Sequence, residues 1–303
     1  MTLPTGVSVF ERGWLSSNNI LVQGAHSSAL IDSGYCTHAE QTLALLDSAL
    51  QGLPLDVLIN THLHSDHCGG NAALQARYPA LQTHIPPGHA EYVRLWDAHA
   101  LSYTPTGQSC PRFYFDAVLR PGTDMRLGDL VWQVHAAPGH DPHSVILFEP
   151  QSRTLVSADA LWEQGFGVVF PELDGQQAFA EVGGTLDLIE HLEPAVVIPG
   201  HGSPFTDVAQ ALVVARRRLD GFVSHPAKHR HYAAKVLLKF KLLEAQAMER
   251  QALQAWALGT SYFASLLPPS ADASQGPQAV DSLVQDLVRS GAAIVQGTRI
   301  LNA

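Results

Sequence analysis

Thr61-His62-Leu63-His64-Ser65-Asp66-His67-Cys68-Gly69-Gly70 comes one residue after Val57-Leu58-Ile59, a short apolar run of the kind that forms a buried strand. Neutral imidazoles and carboxylates are ligands for borderline divalent metals, and four such groups fall here within six residues. In an extended segment His62 and His64 project to the same side. A turn into the following helix aims Asp66 and His67 elsewhere, so one tight segment can feed two adjacent metals. Four ligands do not close two sites, and further His or carboxylate groups must arrive from other strand ends. The chain supplies them as His140 in Pro138-Gly139-His140-Asp141, Asp159 in Ser157-Ala158-Asp159-Ala160, and His201 in Pro199-Gly200-His201-Gly202.

Outward from this segment, short β-like runs alternate with helical stretches over the first 200 residues. Val7 to Phe10, Ile20 to Val22 and Ala29 to Ile31 are punctuated by Gly, Asn and Ser and read as an antiparallel meander. His38 to Leu50 carries Leu43, Leu46 and Leu50 at helical spacing, with Thr37 as the expected N-cap. Asn71 to Arg77 reads as a helix stopped by Pro79. Strands are expected at Val131 to His135, Ser144 to Phe148, Thr154 to Ser157 and Ala195 to Ile198, each ending close to a His or an Asp. From about Thr206 the texture becomes rich in Ala, Leu, Lys and Arg, with breaks near Gly221 to Pro226 and at Leu267 to Gly276. A helix at Val280 to Arg289 and a β-like run at Ala293 to Gln296 close the chain. The expected division is a catalytic domain over 1–220 and a helical domain over 221–303.

The 303 residues carry 18 Lys plus Arg against 28 Asp plus Glu, and 16 His, with 46% hydrophobic and 15% charged residues. That composition excludes disorder and low complexity and supports a sizeable core. The odd, scattered cysteines Cys36, Cys68 and Cys110 do not form a disulfide framework. With neither a signal-like start nor a long uninterrupted apolar run, a cytoplasmic protein outside the membrane is expected. Cys68 adjoins His67, and adjacency alone does not make it a ligand.

The ordered set resembles the metallo-β-lactamase superfamily over residues 7 to 205, and Thr61 to Asn71 is similar to the hydroxyacylglutathione hydrolase (glyoxalase II) version of the motif. Ala29-Leu30-Ile31-Asp32-Ser33-Gly34 resembles the strand and turn before that family's first helix. The resemblance implies an α/β fold, an αβ/βα four-layer sandwich, here with a mainly helical C-terminal extension. It also implies that His62, His64 and His140 hold one metal and Asp66, His67 and His201 a second, with Asp159 bridging. The tail, helices followed by a β-ribbon, weakly resembles the winged-helix-like tail of β-lactamase-like endoribonucleases. Class B β-lactamases of the family have Cys or Ser in place of the bridging carboxylate, so antibiotic hydrolysis is not expected.

Two divalent ions about 3.5 to 4 Å apart can hold a hydroxide, bring its pKa near neutrality and polarise the electrophile it attacks. Hydrolysis follows, with Asp66 and Asp159 as catalytic carboxylates and no need for a Ser or Cys nucleophile. Zn²⁺ suits this ligand set, and iron or manganese accepts similar ones. Carboxylic esters and acyl thioesters lead the expected substrates. Phosphodiesters, as in RNA processing, and lactones stay open. A non-enzymatic alternative is a ligand-sensing regulator on the same fold.

Two regions bear on substrate choice. Trp96, Tyr103 and Phe115, with Phe113 and Tyr114 beside them, and Trp162 and Phe166 in the run to Phe170, are expected to form an apolar acyl pocket or else to cap the core. Residues 216–250 hold nine Lys or Arg against three acidic residues, a local charge of plus six in a chain of net charge −10. Within them Lys235 and Lys239 are expected to hold a small anionic or acyl-bearing substrate, the alternative being a solvated or homodimer surface. The acidic remainder argues against nucleic acid as partner. His143, three residues beyond His140, is a candidate for orienting a ligand.

Overall fold

The structure is a computed structural model and describes residues 2–267 and 275–303. In chain order the first part runs β1 (Val7–Phe10), β2 (Asn19–Gln23), β3 (Ser28–Ile31), α1 (Ala39–Leu50), β4 (Val57–Ile59), α2 (Ser65–Cys68), α3 (Asn71–Arg77), β5 (Gln82–Ile85), α4 (Ala90–Leu95), α5 (Tyr103–Thr106) and β6 (Ala117–Val118). Then come β7 (Thr123–Leu127), β8 (Leu130–Ala136), β9 (Val145–Glu149), β10 (Thr154–Ala158), α6 (Phe170–Leu173), α7 (Phe179–Leu192), β11 (Val196–Pro199) and α8 (Val208–Ser224). The C-terminal part holds α9 (Pro226–Ala245), β12 (Ala247–Glu249), α10 (Arg250–Gly259), α11 (Ser261–Leu266), α12 (Gln275–Arg289), β13 (Ala293–Gln296) and β14 (Arg299–Asn302).

Two sheets result, six strands in the order β1 to β6 and five in the order β11-β10-β9-β8-β7. The meander β1-β2-β3 is antiparallel, and β3, β4, β5 and β6 pair in parallel. Side chains alternate between the two faces of a strand. Ile20, Val22, Ala29, Ile31 and Ile59 therefore join Trp132, Val134, Val145, Leu147, Val156 and Ile198 of the second sheet in one buried cluster. Their neighbours Leu21, Leu30 and Leu58 face the other way and pack with Leu46 and Leu50 of α1 and Leu74 of α3. Strands apolar on both faces belong between a partner sheet and a helix layer. The fold is the α/β sandwich of two facing mixed sheets with helices outside.

The expected elements differ from the observed ones mainly at their ends. Thr37 is not an N-cap: it lies inside a 3-10 turn, Cys36–His38, and the residue capping α1 is His38, with no side-chain cap bond. The tighter 3-10 winding starts the helical path one turn earlier than the apolar spacing shows. The break expected near Gly221 to Pro226 falls at His225: α8 runs through Gly221 to Ser224, and Pro226 opens α9. A glycine in a helix interior costs only about 1 kcal/mol, whereas proline fits best in the first turn. The expected break at Pro268 and Pro269 lies outside the described residues.

The chain divides into two compact units, one of residues 1–101 and 109–220, the other of 102–108 and 221–303. In the second unit, helices α9 to α12 accompany a three-stranded antiparallel sheet in the order β12-β14-β13. Lys239 of α9 donates to Ala292 O, Asn302 Oδ1 and Ala303 O and so ties down the C-terminal ribbon. Among the described residues no helix is long and apolar enough to cross a membrane.

Candidate metal centre

All seven ligand candidates leave the sheets at one edge. His62, His64, Asp66 and His67 follow β4, His140 lies between β8 and β9, Asp159 follows β10, and His201 follows β11. Because β9 runs antiparallel to β8 and β10 while β10 and β11 are parallel, the three ends in the second sheet meet on the same side. Val145 N donates to Thr61 O and so joins the β4 end to the second sheet, while Ser17 N, just before β2, donates to Asp66 O. Asn18 clamps the His201 turn, its N–H reaching Gly200 O at 2.7 Å and its side-chain amide reaching Pro199 O and Gly202 O.

The ligand atoms form two groups, and a third, His62, His67 and Asp159, overlaps both. His62, His64 and His140 form one, and Asp66, His67 and His201 the other, with all ligand atoms of each group within 4.8 Å of one another. His64 Nδ1 lies 2.8 Å from His140 Nε2, and His201 Nε2 lies 3.1 Å from Asp66 Oδ2. Asp159 stands between them. Its Oδ2 is 3.4 Å from His140 Nε2, while its Oδ1 is 3.5 Å from His67 Nε2 and 3.8 Å from His201 Nε2. Each carboxylate oxygen thus faces a different group.

This donor set fits a pair of divalent ions. The Nε2 atoms of His62 and His67 are buried and make no hydrogen bond in the protein. Leaving a buried polar atom unpaired costs about 1–3 kcal/mol, a cost that a bound cation removes. Burial, helped by His140, pushes His64 down to about 4, so it is a neutral ligand at pH 7. Burial also opposes charge on His67, yet Asp32, Asp159 and Asp66 raise its pKa well above the ordinary imidazole value. The same negative field that favours a proton there favours a metal cation in its place.

Outer hydrogen bonds orient the ligands. Asp32 Oδ2 accepts from His67 Nδ1 at 2.8 Å and from Thr61 Oγ1 at 2.7 Å, and its Oδ1 accepts from Thr61 N. His140 Nδ1 faces Val168 O at 2.5 Å. These partners fix which ring nitrogen is left for the metal. His143 does not take this part: its ring packs edge-on against His89, and its backbone N–H donates to Asp141. Asp141 is the neighbour that approaches His64, Oδ2 to Nε2 at 4.0 Å.

The aromatic candidates separate. Trp162 is at the centre, its indole Nε1 donating to Asp159 Oδ1 and its ring edge-on to His201. Phe166 is fully buried and lines a small cavity together with His140, Asp159, Val182 and Thr185. Trp96 is half-buried against Phe113. Phe115 does not wall the centre. It precedes β6, which pairs in parallel with β5 and through it with β4, so it stands at the edge opposite the one from which the ligands leave. Tyr103 is buried in α5 of the second unit. Lys239 is not a free anion site, since the three donors of its ammonium already have partners in the ribbon. Burial opposes charge on Asp286, yet His231, then Arg289 and last Lys235 on α9 hold its carboxyl below the ordinary range.

Of two further aromatic residues at the ligands, Trp14 went unpredicted, whereas Phe170 closes the aromatic run expected there. Trp14 is 55% exposed yet stacks on His201, centroids 5.3 Å apart and planes 11° apart. Phe170 stands edge-on to His64 at 5.1 Å and to His140 at 5.7 Å. Trp14 lies in the connection between β1 and β2, far in sequence from every ligand.

Gly200 has a close-packing task here. A Cβ at this position would lie 2.2 Å from Asp159 Oδ1 and 3.0 Å from the His67 ring. Gly200→Ala is expected to displace Asp159 and weaken metal binding about 10- to 100-fold, as loss of an orienting contact does. Metal titration against a competing chelator measures this, and unchanged affinity would remove the packing constraint.

A model of the metallo-beta-lactamase superfamily matches residues 12–201. The hydroxyacylglutathione hydrolase of Anaeromyxobacter dehalogenans (strain 2CP-C) is 29% identical over 161 residues, 52% of this chain and 52% of that protein. The protein of the same name from Rhodopseudomonas palustris (strain ATCC BAA-98 / CGA009) is 31% identical over 132 residues, 44% of this chain and 43% of its own. The chain thus spans about half the length of the curated relatives it matches. Among solved structures, TTHA1623 in a di-iron-bound form is 27% identical with a TM-score of 0.55, over 69% of this chain and 98% of that one. A beta-lactamase domain protein from Burkholderia ambifaria shares the fold, with a TM-score of 0.60 at 21% identity over 100% of this chain and 94% of that one.

Proposed function

The chain belongs to the metallo-beta-lactamase superfamily, and from that membership and the converging ligands we propose that it is a dimetal hydrolase of acyl thioesters or carboxylic esters. The observation that carries this is Asp159, whose two oxygens face two different ligand groups. The relatives named hydroxyacylglutathione hydrolase support a thioester over other electrophiles. Zinc suits the all-nitrogen and oxygen donors, and the di-iron form of a structural relative supports iron as the alternative.

When bound, two divalent ions supply a water nucleophile at neutral pH and polarise the carbonyl under attack. The chain's own residues set up that chemistry. His62, His64 and His140 would hold one ion and Asp66, His67 and His201 the other, with Asp159, whose oxygens face His140 on one side and His67 and His201 on the other, as the ligand shared between them. Asp32 keeps Nδ1 of His67 protonated, which leaves Nε2 as the donor to metal. Asp66, the more exposed of the two ligand carboxylates, presents Oδ2 to His201 and His67, so that oxygen would ligate the second ion and help orient the nucleophile.

Aromatic rings border the ligands on both sides. Trp14 and Trp162 cover His201, and Phe170 covers His64 and His140. An apolar acyl chain lying over these rings would leave its carbonyl at the ligand set. Trp14→Ala is expected to raise KM for long-chain acyl thioesters about tenfold, the value of about 1.4 kcal/mol of lost apolar contact, with metal content unchanged. A matching rise for the acetyl thioester would take Trp14 out of chain recognition.

Metal-loaded protein assayed against acyl-CoA thioesters, S-acylglutathiones, p-nitrophenyl esters, lactones and bis-p-nitrophenyl phosphate tests the reaction class. Thioester turnover exceeding the rest is expected. Phosphodiester turnover with none on thioesters would overturn the proposal. A reducing compartment, the cytoplasm, agrees with three cysteines that no disulfide joins.

A further inference from the structure

The three cysteines span 75 residues of sequence, yet all meet the segment at Ser109 and Cys110. Cys36 Sγ donates to Ser109 O at 3.4 Å, and Ser109 N donates to the Tyr35 hydroxyl at 3.0 Å. These bonds pin the segment from one side. On the other side Cys110 Sγ lies 3.8 Å from Cys68 Sγ. Cys68 is fully buried and closes α2, the helix of four residues that also carries the ligands Asp66 and His67. Cys110 is half-buried and is the member of the pair that solvent reaches.

We propose that Cys68 and Cys110 form a peroxide-oxidisable dithiol, a modification site that couples the metal centre to oxidants. The Cys110 thiol attacks a hydroperoxide, takes one oxygen as a sulfenic acid and releases the alcohol, or water from hydrogen peroxide. Buried Cys68 then attacks that sulfur, an S–S bond forms, and water leaves with the sulfenic oxygen. Two thiols lose two electrons and two protons in all, and the peroxide is the species reduced.

Closure must shorten the sulfur separation from 3.8 Å to about 2.05 Å. Whatever part of that movement Cys68 takes is passed to a single helical turn whose other residues include Asp66 and His67. Cys68 is itself held from behind by its thiol contacts with Leu63 O and His64 O, inside the ligand-bearing segment. Oxidation therefore pulls on the second metal group and lowers turnover, and a dithiol reductant restores it. The loss of turnover rests on the hydrolase reading, whereas the crosslink does not.

Zinc-loaded full chain is the right test protein, because zinc has no redox chemistry of its own with peroxide. It is treated with equimolar hydrogen peroxide, and crosslinks are mapped by non-reducing peptide mass spectrometry while hydrolysis is followed in parallel. Expected is one Cys68–Cys110 crosslink per chain, a loss of turnover of about fivefold or more, and recovery of both with dithiothreitol. Cys110→Ser is expected to keep basal turnover and lose both the crosslink and the inhibition, while Cys36→Ser keeps both. Absence of the crosslink, a crosslink through Cys36, or sulfinic acid in its place overturns the dithiol. A crosslink with unchanged turnover overturns the coupling to the metal centre, and a crosslink in a protein with no hydrolase activity leaves the dithiol standing while the hydrolase reading fails.

Discussion

Asp159→Ala gives a folded protein that binds fewer than two metals per chain and has lost about 10³-fold or more in kcat/KM, the value of about 4 kcal/mol of transition-state stabilisation. Burial of Asp159 opposes its ionisation, yet His201 and His67 beside it hold its pKa well below the ordinary carboxylate range. The carboxylate is therefore charged and ready at neutral pH, and two ligand groups depend on it. Its removal leaves His140 on one side, and His67 and His201 on the other, without their shared anion. The sandwich core consists of apolar residues from both sheets and does not include Asp159, so circular dichroism and the denaturant midpoint are expected to change little. Asp159→Asn separates charge from volume. It keeps the shape and loses the anion, and is expected to behave like the alanine variant in metal content. Full activity in either variant would refute the bridging assignment.

Asp32→Ala is expected to cost both stability and metal. The carboxylate is 1% exposed and receives three hydrogen bonds, two from Thr61 and one from His67. Deleting it strands buried donors, a loss of about 3–5 kcal/mol in the metal-free protein. It also frees the His67 ring, and losing such an orienting partner weakens metal binding about 10- to 100-fold. Asp32→Asn refines the point. If the amide NH₂ faces Nδ1 of His67, the ring proton shifts to Nε2 and the ligand nitrogen is lost, so metal affinity falls more than stability does. Urea unfolding of apo protein and competitive metal titration of both variants measure the two effects separately. A stable, fully metal-binding Asp32→Ala would assign the orientation of His67 to other contacts.

Much of the centre is legible in the chain because its chemistry sits in short segments at strand ends. His62 to His67 announce themselves by spacing, and His140, Asp159 and His201 each follow an apolar run. Asp32 was visible as part of a familiar strand and turn, but its bond to His67 joins residues 35 apart and has no local signature. Asn18 is harder still, since its clamp on Pro199 and Gly202 spans more than 180 residues. Trp14 offers no periodicity at all: an exposed ring in a connection becomes meaningful only when His201 lies under it.

The misplaced residues failed for related reasons. Phe115 and Trp162 look alike as aromatics in glycine-containing connectors, and only strand direction sends one to each edge. The basic run over 216–250 reads as one patch along the sequence, whereas in space its members turn to different acceptors. Arg216 forks onto Asp187 and Glu190, Lys241 pairs with Glu244, and Lys239 closes the C-terminal ribbon. β12 has only three residues, Ala247-Met248-Glu249, with no alternation to mark it, and exists because β14 pairs with it. Local chemistry and local period can be seen in sequence; pairing over long separations cannot.

Crystals of the zinc-loaded protein measured at the zinc absorption edge test the dimetal centre most directly. Two anomalous peaks about 3.5–4 Å apart are predicted, one within bonding distance of His62, His64 and His140, the other of Asp66, His67 and His201, with Asp159 touching both. A single peak at full zinc loading, or two peaks that Asp159 does not bridge, would contradict it.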